Sequence, residues 1–285
     1  MNFWGGCIIG CCSDVLFRLE NNTDSGQIFE MNTTVIVTSY RRRDALNLVL
    51  QSLANQTEMP EEVIVADDGS GPDVRSLIDH WSERLPLAFI WQADRKFRAA
   101  RARNLAVVKA KGDHLIFIDG DCVLPPDFVK THRRLITDRK MVSGGRFLIN
   151  SQDTKAVVSS GIVDENLCFR DIKFLKLPLG FLRDLTPGSW RQARTCNLGV
   201  MKPDFMNVGG FDELYQGWGR EDSDLVVRMI KDGVKIRSAR FAACVSHLHH
   251  NEEARAALEA NDTQFQNVIA DRSKVMPAHS VLRLL

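Results

Sequence analysis

The sequence predicts an α/β protein with a mostly parallel central sheet flanked by helices. Three features lead to this fold class: short β-branched runs, helical patterns between them, and polar or glycine-containing segments after them. Strand and helix alternate four times between residues 34 and 137, which is typical of βαβ units. Strands that are covered on both faces have nearly continuous apolar sequences, and the predicted strands here have such sequences.

The elements of the first half follow from this pattern. Runs such as TVIVT and HLIFI predict strands at residues 34–38, 62–66, 87–91 and 114–118. A first helix is expected after Asp44, with an apolar face of Leu46, Val49, Leu50 and Leu53. Further helices are expected at 73–85, 99–110 and 125–137, the last with proline at its start.

The second half is less regular. The segments TCNLGVM, VKIR and FAACV predict three short strands, and helices are expected at 220–232 and 252–275. Residues 1–30 have no sustained periodicity. We expect them to be either an extension upstream of a natural start at Met31 or a disordered tail.

Composition is that of an ordinary globular protein, with 44% hydrophobic and 26% charged residues and a net charge of +1. This balance gives no general attraction to nucleic acid, so no nucleic-acid partner is expected. The seven cysteines are scattered without a CxxC pair, which favours a reducing compartment. Without an apolar run of ~20 residues or a basic leader, the sequence predicts a cytoplasmic protein.

Polar residues stand where three of the predicted strands end. Thr38 ends the first strand, Asp67 and Asp68 follow the second, and Asp119 and Asp121 follow the fourth. Ligands of parallel α/β sheets bind at the carboxyl ends of the strands, so a nucleotide site is expected here. An Asp at such a strand end can accept the N–H of a uracil ring, although Asp-Gly-Ser is also an ordinary turn.

A metal site is predicted at the fourth strand. Asp119 and Asp121 are two residues apart, and such carboxylates repel unless a cation lies between them and a ligand. Mg²⁺ or Mn²⁺ bridging a diphosphate meets that demand; the alternative is an acidic turn. His247, His249 and His250 follow the last apolar strand, where one imidazole either completes the metal site or is structural.

Two charged segments remain. Arg98, Arg101 and Arg103 lie near the start of the third helix, where guanidinium groups and a helix N-terminus favour a diphosphate. The alternatives are a solvated surface or RNA binding, but aromatic residues are sparse there. The stretch GWGREDSDL opens a later helix with three carboxylates beside a tryptophan. These acids either cap the helix or carry out chemistry.

Taken in order, the motifs VIVTSY, VIVADDGSG, ARN, IFIDGD, CNLGVM…VGGFDE, GWGREDSDL and VSHLHH resemble the inverting family 2 glycosyltransferases with the GT-A fold, a Rossmann-like α/β architecture. The second half is similar to the C-terminal module shared by β-1,4-galactosyltransferases and bacterial chondroitin-polymerase-type transferases. The resemblance implies a GT-A domain at 31–250, with a nucleotide-sugar half at 31–145, an irregular acceptor-binding half at 146–250 and a helical tail at 251–285.

The resemblance also implies residue roles on the nucleotide side and at the metal. The nucleotide would be held by Thr38, Asp67, Asp68 and Asp119, with help from Arg98, Arg103 or Asn104. The metal, Mn²⁺ or Mg²⁺, would be bound by Asp121 and His247.

On the acceptor side, Asn197 and Trp218 would line the sugar pocket, Glu221 would grip acceptor hydroxyls and Asp222 would be the general base. Asp224 would be a helix cap or a surface charge. The galactosyltransferase motif has glycine and a further acid where this chain has Arg220 and Ser223. The donor sugar and the acceptor therefore stay open.

The implied activity is metal-dependent inverting transfer of a hexose or N-acetylhexosamine from a UDP-sugar to a glycan or glycolipid acceptor of a bacterial surface polysaccharide, such as lipopolysaccharide core, O-antigen or capsule. Such a transfer needs one base, while the metal and basic residues stabilise the departing UDP. The basic-aromatic stretch 169–183 is either a peripheral contact with the inner face of the cytoplasmic membrane or part of the core or an acceptor loop.

Two other interpretations compete with this one. A sugar nucleotidyltransferase also uses a metal and paired aspartates, but it gives no reason for GWGREDSDL and would release pyrophosphate. A non-catalytic nucleic-acid or membrane-binding module would use the basic clusters and show steep salt dependence.

Overall fold

An eight-stranded mixed sheet runs through the computed structural model, which describes residues 31–169, 188–251 and 256–285. Its strands are β1 (Thr33–Ser39), β2 (Glu62–Asp67), β3 (Leu87–Trp91), β4 (His114–Asp119), β5 (Cys122–Val123), β6 (Lys140–Leu148), β7 (Asn197–Met201) and β8 (Lys235–His247). They lie in the order β3-β2-β1-β4-β7-β6-β8-β5. The expectations for residues 1–30 and for most of the stretch 169–183 concern residues outside the described ranges.

The four strands predicted for the first half are all present and pair in parallel, as expected. β1 lies between β2 and β4, so that Thr38 is in register with both Ala66 and Asp119. The middle of β1 is fully buried at Val35, Ile36 and Val37, which accounts for its unbroken apolar sequence. Because these strands run the same way, their carboxyl ends meet at one edge of the sheet.

The predicted helices are also present, with ends displaced by a few residues. They are α1 (Arg43–Ala54), α2 (Pro72–Trp81), α3 (Ala99–Lys109) and α4 (Phe128–Leu135) in the first half, and α8 (Glu221–Lys231) and α9 (Leu258–Ala270) in the second. Three further helices of the described residues were not predicted, namely α5 (Ser151–Ser160), α6 (Glu165–Cys168) and α7 (Lys202–Asn207). α1 buries the face that its periodicity predicted. A 3₁₀ helix, Val281–Leu284, lies near the end of the chain.

The second half adds strands to the same sheet rather than forming separate layers. β7 pairs antiparallel with β4, and β6 lies between β7 and β8. The prediction of two strands at VKIR and FAACV was wrong, because both belong to the long strand β8. Its register slips opposite Gly144 and Gly145, which pair with Ala239 and Cys244, so residues 240–243 bulge out of the ladder.

The C-terminal segment is a shorter helix than predicted. The expected helix at 252–275 is α9, Leu258–Ala270, and its buried residues are Asn261, Phe265 and Val268. Phe265 and Val268 form a small apolar cluster with Val227 of α8. The segment therefore packs onto the domain. No helix within the described residues has the length and apolar composition needed to cross a membrane.

A buried ion pair fixes the loop before α8. The Arg228 guanidinium is fully buried and donates to the Asp224 carboxylate (Nε to Oδ2, 2.8 Å). It also donates to the carbonyl oxygens of Val208 at 2.6 Å and Gly210 at 2.7 Å. Asp224 is 1% exposed, so the expectation of a surface charge was wrong. Its carboxylate instead stabilises the interior of the fold by pairing with Arg228.

We expect Asp224→Ala to lower the free energy of unfolding by about 3–5 kcal/mol, because it leaves a buried guanidinium without its carboxylate. Asp79→Ala is the matched control, since Arg75 and Asp79 form an ion pair of the same i,i+4 spacing on the surface of α2. The control should lose at most about 1 kcal/mol. Urea denaturation measures both values, and equal losses would contradict the structural importance of the Asp224–Arg228 pair.

Candidate functional site

The parallel strands bring the predicted polar residues together at their carboxyl ends. Thr38 lies in register with Asp119 across β1 and β4, and Ser39 lies in register with Asp67 across β1 and β2. Gly120 follows Asp119, and its N–H donates to the Thr38 carbonyl at 2.7 Å. A Cβ at Gly120 would lie 2.9 Å from that carbonyl oxygen. The close approach of these two strand ends therefore requires glycine.

Arg103 is the residue that connects this edge to the acidic helix start. It reaches from α3 and is 4% exposed. Its guanidinium donates from Nε to Thr38 Oγ1 (2.9 Å), from Nη2 to Asp119 Oδ1 (3.1 Å) and from Nη1 to Glu221 Oε1 (3.2 Å). One side chain thus joins β1, β4 and α8. The sequence left the choice among the arginines open, and the structure places Arg103 at the centre.

The other two arginines of this group have different contacts. The Arg98 backbone N–H donates to Asp68, and its guanidinium donates to the Ala93 carbonyl. Arg101 pairs with Glu213 at 3.2 Å. Neither guanidinium has a contact to Asp119 or Glu221 among the bonds of the described residues.

Asp67 and Asp68 have separate surroundings. Both oxygens of Asp67 are used within its own turn, accepting from the N–H groups of Gly69 (3.0 Å) and Ser70 (2.6 Å) and from the Ser70 hydroxyl (2.6 Å). Asp68 accepts from the Gln92 amide at 2.6 Å. Burial raises the pKa of Asp68 above its ordinary value, against the hydrogen bonds that it accepts. Asp67 therefore shapes the turn that presents Asp68.

A second cluster forms around Asp121. Its carboxylate oxygens lie 3.5 Å from His247 Nε2 and 3.4 Å from His250 Nε2, and the Arg42 guanidinium also contacts it. β5 and β8 pair so that Cys122 is in register with His247, which places these groups side by side. His250 was not selected from the sequence, although the spacing HLHH contained the signal. Burial lowers the pKa of His247, which favours the neutral imidazole.

These three side chains fit a divalent metal ion. Each offers one donor atom, and the three atoms lie within 4.8 Å of one another. His247 Nδ1 is buried and has no hydrogen-bond partner among the described residues. Asp119 belongs to a different group, because its carboxylate bonds Arg103. Burial raises the pKa of Asp119, and the nearby Asp121 charge adds to this effect.

Two predicted residues, Asn104 and Asn197, are buried, and the hydrogen bonds of their side chains go to groups outside these clusters. The Asn104 amide donates to the Phe211 carbonyl (2.9 Å) and to Glu213 (2.9 Å), and its oxygen accepts from the Phe211 N–H (3.0 Å). Its polar contacts therefore hold the loop that follows Gly210. Asn197 is 1% exposed and donates to the Gly145 and Ala243 carbonyls at 2.8 and 2.7 Å. It joins β6 to the bulge of β8.

The N-terminus of α8 carries Glu221 and Asp222. The Asp222 carboxylate accepts from the Ser223 N–H at 2.6 Å and lies 3.9 Å from Arg194 Nε. Burial, together with the Asp222 charge, raises the pKa of Glu221 to about 7, while Arg103 opposes the shift. Adjacent carboxylates in one helical turn thus have unlike surroundings.

The loop before α8 is held by α9. Arg220 has a left-handed backbone (φ 79°), and its guanidinium pairs with Asp262 and lies 5.5 Å from the centre of the Phe265 ring. The Asn261 amide donates to the Gly219 carbonyl at 2.9 Å and to the Gln216 carbonyl at 3.2 Å. Trp218, within this loop, is 41% exposed. The segment predicted as a tail therefore supports the loop that carries Trp218.

Comparisons with known families match this architecture. Residues 34–191, more than half of the chain, match the model of Glycosyl transferase family 2. Residues 186–251 match that of the N-terminal domain of galactosyltransferase. The two matches together confirm the resemblance that the motif order gave, in both halves.

A curated relative covers most of this chain but only part of its own length. Validoxylamine A glucosyltransferase from Streptomyces hygroscopicus subsp. limoneus is 28% identical over 226 residues, which are 73% of this chain and 49% of that protein. The chain spans about half the length of the first curated relatives that it matches.

Solved structures share the fold. S. aureus TarS 1-349 in complex with UDP-GlcNAc aligns with a TM-score of 0.60 and 15% identity, over 85% of this chain and 67% of that one. The mannosyltransferase PcManGT from Pyrobaculum calidifontis in complex with GDP-Man and Mn²⁺ aligns with a TM-score of 0.59 and 17% identity, over 86% and 66%. These alignments confirm the predicted GT-A architecture.

The raised pKa of Glu221 predicts a pH dependence of stability. Its pKa of about 7 lies above the ordinary 4.5, so the folded state keeps this proton to a higher pH than the unfolded state does. The resulting stabilisation is complete below pH 4.5 and is lost as the pH rises through about 7. We expect Glu221→Gln to reduce the fall in unfolding free energy over this range.

Urea denaturation at a series of pH values measures this effect. The control is Glu165→Gln, which changes an exposed glutamate on α6 and should leave the wild-type pH profile unchanged. A Glu221→Gln profile that runs parallel to the wild-type profile would show that Glu221 titrates normally.

Proposed function

This chain belongs to glycosyl transferase family 2, and we propose that it is a metal-dependent inverting hexosyltransferase. It moves a hexose or N-acetylhexosamine from a UDP-sugar to a hydroxyl of a growing bacterial surface glycan. The observation that carries this proposal is the Arg103 bridge, which joins the carboxyl ends of β1 and β4 to the acidic start of α8. A donor at the strand ends and a base on α8 are thereby brought into one site.

Asp222 is the proposed general base. Inverting transfer is a single displacement at the anomeric carbon, in which a base removes the proton of the acceptor hydroxyl as the new bond forms. The N-terminal end of α8 and the Arg194 guanidinium, 3.9 Å away, both favour negative charge at this position. Asp224 is occupied by Arg228, and Glu221 by Arg103. Of these three acids, Asp222 is the one whose carboxylate accepts no hydrogen bond from an arginine among the described residues.

Glu221 is proposed to bind acceptor hydroxyls. Its pKa of about 7 means that both protonation states are populated near neutral pH. The carboxyl group therefore accepts a hydrogen bond from a sugar hydroxyl or donates one to a sugar oxygen. Its bond to Arg103 fixes its orientation while leaving Asp222 beside it for the proton transfer.

The nucleotide is proposed to lie along the ends of β1, β2 and β4. Thr38 and Asp68 stand at the strand ends suited to the uridine, and Asp119 stands next to them for the ribose. TarS 1-349, which shares the fold, was solved with UDP-GlcNAc. Together, these features favour a UDP-sugar as donor.

Asp121, His247 and His250 would hold the divalent ion. When bound, the ion supplies positive charge that stabilises the departing diphosphate. Two imidazoles beside one carboxylate favour Mn²⁺ over Mg²⁺, because Mg²⁺ prefers oxygen ligands. The fold neighbour PcManGT was solved with Mn²⁺. Arg42, which contacts Asp121, is a further source of positive charge at this place.

We expect Asp222→Asn to lower kcat at least about 100-fold, because the amide cannot accept the acceptor's proton. The affinity for the UDP-sugar should change little. A coupled assay for UDP release measures kcat, and calorimetry measures donor binding. Asp79→Asn, on the exposed surface of α2, is the control. Substantial turnover by Asp222→Asn would exclude Asp222 as the base, and release of pyrophosphate instead of UDP would favour nucleotidyl transfer.

The metal proposal has its own test. We expect Asp121→Asn to weaken Mn²⁺ binding about 10- to 100-fold, as measured by the electron paramagnetic resonance signal of free Mn²⁺. Asp44→Asn, an exposed residue of α1, should bind as the wild type does. Undiminished transfer after dialysis against EDTA would overturn the proposed metal dependence.

A further inference from the structure

A pocket on the acceptor side of the sheet is lined by four arginines. It has a volume of about 260 Å³, and the arginines are Arg146, Arg191, Arg194 and Arg240, with Cys196 and Gln192 beside them. The site described above gives a role to Arg194 but none to Arg146, Arg191 or Arg240. Arg194 links the pocket to the proposed base, because it lines the pocket and lies 3.9 Å from Asp222.

The pocket is built by the irregular part of the sheet. Residues 240–243 bulge out of β8, which places Arg240 at the pocket opposite Arg146 of β6. The buried Asn197 amide joins the Gly145 carbonyl to the Ala243 carbonyl, and the Cys244 thiol donates to the Arg240 carbonyl. A Cβ at Gly145 would lie 2.5 Å from the Arg240 carbonyl oxygen. The backbones of β6 and β8 that carry Arg146 and Arg240 therefore pack too closely to accept a side chain at Gly145.

Among the described side chains, only Asp222 forms an ion pair with an arginine of the pocket. Within the described residues, no carboxylate lies within salt-bridge distance of Arg146, Arg191 or Arg240. Two of these guanidinium groups pack against aromatic rings, Arg191 over Trp190 (4.5 Å) and Arg240 over Phe241 (5.8 Å). Guanidinium groups gathered in one pocket repel one another, and an anion with several oxygen acceptors relieves that repulsion.

The pocket adjoins the proposed nucleotide site on the side away from β1 and β2. That site uses β1, β2 and β4, whereas the pocket is lined by β6, β8 and the segment before β7, whose Cys196 thiol lies within 4.8 Å of the Asp119 carboxylate. Adjacent strands are about 4.8 Å apart, so β6 is about 10 Å from β4. In an inverting displacement, the acceptor approaches from the side opposite the leaving diphosphate. The acceptor therefore lies on the side of Asp222 and of this pocket.

We propose that the four-arginine pocket binds an anionic group of the acceptor glycan, a carboxylate or a phosphate ester on the accepting sugar or on its neighbour. The inference rests on the proposed function and deepens it, since it makes negative charge the feature that selects the acceptor. Arg146, Arg191 and Arg240 bind the anion, and Arg194 connects the bound acceptor to the base.

The first test compares acceptors of equal size and different charge. Transfer by the full chain is measured to an aryl glucoside, the matching aryl glucuronide and the matching aryl glucose 6-phosphate. We expect kcat/KM to be about 10- to 100-fold higher for the better of the two anionic acceptors than for the glucoside, mainly through KM. Which of the two anions is preferred distinguishes a carboxylate site from a phosphate site.

The variants Arg146→Gln and Arg240→Gln should remove this preference while leaving the KM for the UDP-sugar unchanged. Arg272→Gln, which removes an exposed arginine of the C-terminal segment, should keep the preference. Equal kcat/KM for neutral and anionic acceptors in the wild type would overturn the proposal. So would a rise in the KM for the UDP-sugar in both variants, since the pocket would then serve the donor diphosphate.

A binding experiment decides the question even if none of these acceptors is glycosylated. Calorimetry with glucuronate and with inorganic phosphate, in the presence of saturating UDP, should show binding to the wild type and to Arg272→Gln. Binding should fall at least about tenfold in Arg146→Gln and Arg240→Gln. Anion binding without transfer would count against the proposed function but support the pocket, whereas no binding, or binding equal in all variants, would overturn the pocket.

Discussion

The contact on which the rest of the site depends is the buried Arg103 guanidinium. It accounts for the closeness of Thr38, Asp119 and Glu221, which come from three elements that lie far apart in the sequence. Two carboxylates held near one another out of water repel, and the guanidinium between them offsets both that repulsion and part of the desolvation cost. All three acceptors bond to the same guanidinium. The strand ends and the helix start therefore hold each other in position.

The sheet continues the site from the proposed nucleotide-binding groups toward the proposed acceptor-binding groups. The parallel strands β1, β2 and β4 supply one edge, and the antiparallel β7 begins at that same edge, since Asn197 is in register with Ile118. The segment just before β7 therefore brings Arg194 and Cys196 to the end of β4. β6 and the bulged β8 then extend the edge to His247 and the arginine pocket. One continuous strand edge thus carries the proposed nucleotide, metal and acceptor groups.

Local pattern was sufficient for the parallel half and for the elements of the site. Apolar runs and helical periodicity located β1–β4 and α1–α4, and the rule that ligands bind at strand ends grouped Thr38, Asp68 and Asp119 before any contact was known. What sequence reasoning missed depends on long-range packing. Nothing local distinguishes Arg103 from Arg98 or shows that Asn197 joins β6 to β8, because each depends on residues far along the chain.

Arg220 shows how such packing shapes the loop before α8. Its left-handed backbone is one that glycine adopts without cost and that costs another residue about 1–2 kcal/mol. The ion pair with Asp262 and the contact with Phe265 offset this cost only if α9 is in place. α9 begins at Leu258, beyond residue 251, where the galactosyltransferase match ends. The loop that carries Trp218 and leads into Glu221 and Asp222 is therefore held by a helix that lies outside the residues matched by the two family models.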